Sequence, residues 1–131
     1  MNAALHDRFI AIVGEKNALV AEADVAPHLR EWRGRWTGRT AAVLKPGSTA
    51  EVAAILALAS ETGTPIVPQG GNTGLVGGQI PDETGRAIVL STSRLGRIRD
   101  IDTDGDTITV EAGVVLQTIQ DVGVDVAALQ L

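Results

Sequence analysis

The chain has no cysteine. That excludes disulfides, thiolate metal sites and a flavin tethered through sulfur. Aromatic residues are only 2% of the sequence, namely Phe9, Trp32 and Trp36. The core must therefore be Val, Ile, Leu and Ala, which suits an α/β sandwich. No apolar run approaches the ~18 residues of a membrane span. His6, Asp7 and Arg8 stand where a signal peptide needs an apolar stretch, so the cytoplasm is the expected compartment. Basic residues are in the minority, 11 against 16 acids, for a net charge of -5. A general nucleic-acid surface would be basic instead.

What is present is a chain of 131 residues, 44% of them hydrophobic. This is one domain or part of one, able to bury roughly two-thirds of its unfolded surface. Leu5, Phe9, Ile12 and Val13 follow helical spacing up to a stop at Gly14. A short helix is expected around Asp24 to Arg30. Thr40 to Leu44 reads as a strand ended by Pro46-Gly47. Ser48-Thr-Ala-Glu51 has the form of a capping box, in which the glutamate reaches back as the serine serves its N–H. Val52, Ile55, Leu56 and Ala59 are expected on one face of the helix that follows, which Gly63 closes. Ile66 to Gln69 is the next strand, so strand, helix and strand form a right-handed βαβ unit. Ala87 to Leu90 is another short strand. Arg97 to Asp102 and Thr107 to Ala112 flank Asp104-Gly105 as a hairpin. In the second of these, Ile108, Val110 and Ala112 point one way and Thr107, Thr109 and Glu111 the other. A helix begins near Val114 and runs to Val122. The tail from Gly123 to Leu131 carries no stop signal and reads as an element cut short, hence a fragment of a longer protein.

One stretch carries chemistry. Pro65-Ile-Val-Pro-Gln-Gly-Gly-Asn-Thr-Gly-Leu-Val-Gly-Gly78 turns from a β-branched run into a loop with glycines at 70, 71, 74, 77 and 78. Glycine reaches positive φ without steric cost, and successive N–H groups in such a loop can form an anion-binding nest. The loop lacks the Gly-Lys-Ser/Thr of a Walker A motif and the G-x-G-x-x-G of a Rossmann fingerprint. On the residues alone, a phosphate loop and an ordinary surface loop have equal standing. Asn72 and Thr73 add polar side chains at its tip.

Three further features have bland readings that weigh more. Asp100, Asp102, Asp104, Gly105 and Glu111 match the spacing of an EF-hand calcium loop, but Thr107 to Glu111 alternates like a strand. An acidic hairpin is expected there, with calcium binding as a remote alternative. Arg30, Trp32, Arg33, Arg35, Trp36 and Arg39 could stack on single-stranded nucleic acid. Tryptophans anchored on the domain with arginines at the rim are expected instead. His6 and His28 are expected to be surface histidines.

Residues 68 to 78, Pro-Gln-Gly-Gly-Asn-Thr-Gly-Leu-Val-Gly-Gly, resemble the pyrophosphate loop of FAD-linked oxidases of the vanillyl-alcohol oxidase/PCMH superfamily. The D-2-hydroxyacid dehydrogenase branch is the nearest, which includes D-lactate and D-2-hydroxyglutarate dehydrogenases and the flavin subunit of glycolate oxidase. Trp32 to Arg39, Val43 to Val52 and Thr109 to Val114 resemble flanking segments of that branch in the same order. The resemblance implies the first lobe of a PCMH-type FAD-binding domain, a βαβ unit followed by a mixed or antiparallel sheet. It divides the chain into a helical lead-in, residues 1–36, and a partial FAD-binding domain, residues 37–131. It puts the FAD pyrophosphate on the backbone of Gln69, Gly70, Gly71, Asn72, Thr73 and Gly74, with Leu75 beside it and Pro68 shaping the entrance. Gly113 is a further contact under this resemblance, with a strand-end glycine as the equal alternative. Ser91 and Thr92 have the same two-way standing, between flavin contact and helix capping. No catalytic residue and no metal ligand is expected in the chain, because the resemblance assigns catalysis to a missing substrate domain. A 2-hydroxyacid substrate belongs to the full-length protein only, and no nucleic acid or membrane partner is expected. FAD binding by this chain is expected to be weak or absent, since a second lobe would supply about half of the contacts. The alternative is a binding module without chemistry.

Overall fold

The computed structural model describes residues 1–129, with side chains as far as Asp125. Helix α1 (Ala3–Val13) starts at Asn2, whose side chain accepts from the Leu5 N–H at 2.8 Å, and stops at Gly14. Strand β1 (Ala18–Leu19) and helix α2 (Glu22–Val25) follow, and α2 runs into a 3₁₀ turn over Ala26–His28. Strand β2 (Val43–Leu44), helix α3 (Thr49–Thr62), strand β3 (Ile66–Gln69) and strand β4 (Ile88–Ser91) build the centre. Strands β5 (Ile98–Asp102) and β6 (Thr107–Val110) pair as a separate antiparallel hairpin, and helix α4 (Leu116–Leu129) ends the described chain.

The four-stranded sheet has the order β1-β2-β4-β3. Strands β2, β4 and β3 are parallel, and β1 pairs antiparallel at one edge. The βαβ unit is therefore present, but its two strands are not neighbours, because β4 enters between them. Ile88, Val89 and Leu90 are all buried, as a central parallel strand covered on both faces requires. Leu44, Ile88 and Leu90 face Phe9, Val13, Ile55, Leu58 and Ala59 from α1 and α3. Val43 and Val89, one residue out of phase, face Val25 with Leu19 and Leu29 on the opposite side. Pro68 is tolerated in β3 because β3 is an edge strand.

Several expectations are corrected in detail. The strand expected over residues 40–44 keeps only Val43 and Leu44, since Thr40 turns its hydroxyl onto the carbonyls of Ala42 and Ala87. The Ser48 hydroxyl accepts from the Glu51 N–H as expected, but the Glu51 carboxylate reaches back one residue further, to the Gly47 N–H at 2.6 Å. In α3, Leu58 is buried and Leu56 is 48% exposed, the reverse of the expected face at that position. Gly63 closes α3 in the left-handed region, φ 66°. The hairpin turn spans four residues. Asp102 Oδ1 accepts from the N–H groups of Asp104 and Gly105, and Asp106 rather than Gly105 takes positive φ. Ala112 is exposed while the Glu111 side chain is nearly buried, so the alternation inverts at the end of β6. Helix α4 passes straight through Gly123; the last two residues of the tail lie outside the described ones. Among the described residues no helix is long and apolar enough to cross a membrane.

Candidate functional site

Three parallel strands end on the same edge of the sheet, which is where open α/β sheets hold their ligands. The glycine loop leaves β3 there and Thr92-Ser93 leaves β4. The Thr92 N–H donates to Gln69 O at 3.0 Å and ties the two exits together. The hairpin then returns the chain to this edge. The Gly113 N–H donates to Leu95 O at 2.8 Å, and a Cβ at Gly113 would lie 1.9 Å from Thr92 O. Gly113 thus has a packing role, a close crossing that no side chain allows. The result is a cleft of about 490 Å³ between Gly70, Gly71 and Thr73 on one side and Thr92, Ser93 and residues 112–116 on the other. Strand exits and hairpin exit, distant in sequence, meet at one opening.

The cleft suits an extended anionic ligand. Gly70 and Gly71 present backbone to it without side chains. Among the described residues, the N–H groups of residues 70–74 donate to no protein oxygen. Thr92 Oγ1 is shielded from solvent and is, among the described residues, the one buried side-chain polar atom without a partner. It lies 3.8 Å from where a Gly70 Cβ would sit. Uncommitted N–H groups in a loop that lines a cleft, with an unpaired hydroxyl beside them, are the kind of donor that a pyrophosphate requires.

The loop's glycines divide by what they touch. Only Gly77, φ 78°, takes positive φ; Gly70, Gly71, Gly74 and Gly78 do not, contrary to the expected reason for glycine. The other positive φ in the loop is at Asn72, 57°, a residue that tolerates this region. Gly74 admits the Gln79 amide, and Gly77 admits the Trp36 ring; a Cβ would meet them at 2.7 and 2.8 Å. The Asn72 side chain does not reach toward a ligand. Its Nδ2 donates to Pro27 O and Arg30 O, and its Oδ1 accepts from Gln79 Nε2. Thr73 lines the cleft, whereas Leu75 and Val76 are exposed outside it. Gln69 is 1% exposed and spends its side chain on His28 and Gln79. Ser91 is buried, and its hydroxyl donates to Ser93 Oγ. Sequence reasoning missed Gln79 entirely, and no local signal marks it.

The remaining expectations resolve locally. His6 and His28 are half-buried rather than surface residues. His6 Nε2 bonds Ala41 O, and His28 Nδ1 bonds Gln69 Oε1 at 2.6 Å. Trp36 is anchored on Gly77, but Trp32 is 81% exposed, so only one tryptophan anchors as expected. Their loop is organised by Glu31, a buried carboxylate that accepts from the N–H groups of Arg33 and Arg35. Burial pushes the Glu31 carboxyl up, but those N–H groups with that of Trp36 and the Arg33 charge outweigh it and hold it below the ordinary value. Glu111 is engaged with Arg97 and Arg99 at 3.7 and 3.5 Å on an antiparallel hairpin, not on a helix-loop-helix.

A parallel sheet with a glycine loop at its carboxyl edge and a hairpin crossing beside it defines an open α/β domain with a cleft at its strand exits. Residues 40–124 match the FAD binding domain family, and the chain belongs to that family. It is 36% identical over 113 residues to a probable mitochondrial D-2-hydroxyglutarate dehydrogenase of Oryza sativa subsp. indica, covering 85% of this chain and 20% of that protein. It is also 36% identical over 99 residues to the D-2-hydroxyglutarate dehydrogenase of Xanthomonas citri pv. viticola, covering 76% and 21%. The chain thus spans about a fifth of the length of these relatives. In fold it is similar to p-cresol methylhydroxylase, with a TM-score of 0.76 at 22% identity, over 90% of this chain and 23% of that one. The resemblance noted in the sequence thus holds at the level of family, fold and cofactor.

Proposed function

We propose that this chain holds the pyrophosphate of FAD within a flavin-dependent D-2-hydroxyacid dehydrogenase. The supporting observation is the cleft itself, which joins Gly70, Gly71 and Thr73 to Thr92, Ser93 and Gly113. The N–H groups of Gln69 to Gly74 are the proposed donors to the phosphate oxygens. Pro68 sets the exit of β3, Leu75 flanks the loop, and Gly113 closes the far wall. The cofactor-holding unit is proposed to be residues 37–131, with residues 1–36 as a lead-in whose Phe9 and Val13 enter the shared core. When bound, the flavin supplies a hydride acceptor for the α-carbon of a 2-hydroxyacid. This chain's own work is binding and orientation: backbone donors neutralise the phosphates, and the crossing at Gly113 fixes the width of the cleft. No residue here is proposed as a catalytic base. Neither histidine lines the cleft, and each ring is committed to a structural hydrogen bond.

The assignment is tested with Gly71→Val. A Cβ there meets only Thr73 Cγ2 at 3.9 Å, so the chain has room for it when free. The melting temperature should stay within about 3 °C of the parent, while FAD affinity should fall at least about tenfold, read from amide shifts in a titration. Unchanged affinity would count against the loop.

A further inference from the structure

We propose that Gln79 is a positioning residue that braces the glycine loop from within, holding the Asn72 and Gln69 amides that anchor it on the segment Pro27–Arg30, an inference that rests on the loop assignment above. Three side-chain amides form one closed network. Gln79 Nε2 donates to Asn72 Oδ1 at 3.1 Å and to Gly74 O at 2.8 Å. Asn72 Nδ2 donates to Pro27 O at 3.1 Å and Arg30 O at 2.8 Å. Gln69 Nε2 donates to His28 O at 2.8 Å and Gln79 O at 3.0 Å. A primary amide has two N–H donors, so all six are spent. Gln69 Oε1 is left to accept from His28 Nδ1, which fixes that ring's tautomer as well.

The network spans both ends of the loop and its tip. Gln69 holds the entry and Asn72 the tip against Pro27–Arg30, a segment that lies outside the matched residues 40–124, and Gln79 ties the exit to both amides. Gly74 is glycine at the point where the Gln79 amide enters. None of the six donors faces the cleft, so the clamp leaves the loop's own N–H groups free for the ligand. Holding them in place before binding removes an ordering cost that a slack loop would bear on every binding event.

The test is Gln79→Leu in the 131-residue chain, with FAD as the probe. Backbone order parameters over residues 70–78 should fall from about 0.85 to about 0.6 or below. FAD affinity should fall about tenfold, while the melting temperature moves by no more than about 3 °C. A merely structural glutamine would move the melting temperature and leave affinity and loop order alone. Asn72→Gly keeps the positive φ, removes the second amide and must reproduce the effect; it decides the matter if Gln79→Leu does not fold. Loop shifts with FAD in the parent but unchanged affinity in both variants would overturn the clamp alone. FAD that shifts amides of the parent only outside the loop would overturn the loop assignment and the clamp with it.

Discussion

Thr92 has its backbone committed and its hydroxyl free. The N–H donates to Gln69 O, the carbonyl accepts from Leu95 N, and Gly113 crosses against it. An unpaired shielded hydroxyl costs free energy in the free protein and is recovered only when a ligand acceptor arrives. Thr92→Val keeps the shape and removes the hydroxyl. It should raise the melting temperature of the free chain by about 2–5 °C and weaken FAD binding about tenfold. Thr92→Ser should bind nearly as the parent does. A loss of stability in Thr92→Val with unchanged affinity would make the hydroxyl structural. The residue's type and its place after a strand were visible in the sequence. Its lack of a partner was not, because that depends on its tertiary neighbours, Gly70 among them, 22 positions earlier.

Local rules worked best for elements whose ends are self-contained. Ser48 and Glu51 marked the start of α3 and Gly63 its end, since caps are satisfied within one turn, at about 1 kcal/mol each. The hairpin β5–β6 was legible for the same reason, being a contact between neighbours in sequence. Its closing element was less so. The Glu111 carboxyl is held below its ordinary value of 4.5, first by the Arg97 N–H, with burial opposing and the Arg97 and Arg99 charges assisting. A carboxyl lowered in the folded state stabilises the fold above 4.5, and that contribution is lost as pH falls through the folded value. Thermal melts should therefore show the fold weakening in acid, and Glu111→Gln should remove its share of that pH dependence, beside those of Glu31 and Asp82, while lowering stability at neutral pH. A variant that keeps the parent's acid limb unchanged would exclude Glu111 as a source of it.

At the scale of the whole molecule, stability concentrates around β4. All four of its residues are buried between β2 and β3, with α1 and α3 on one face and Val25 on the other. The hairpin and α4 stand apart from this core: Ile101, Val115, Leu116 and Val124 are exposed. Hydrogen exchange should be slowest in β4 and distinctly faster in β5, β6 and α4. Equal protection across all of these would mean that the hairpin unfolds only with the core.

Legible without coordinates were the elements that local chemistry closes: the capped helix, the β3 run, the Asp-rich turn and the glycine loop as a break in regular structure. The order of four resembling segments also determined the family. That β4 enters between β2 and β3 was settled only in the folded chain, since strand order leaves no mark on any one strand. Tertiary packing alone divided the loop's glycines, two bare toward the cleft and two making room for Gln79 and Trp36. The reason is physical. A missing side chain looks the same in sequence whatever fills the space, and here the occupants arrive from segments up to 41 residues away.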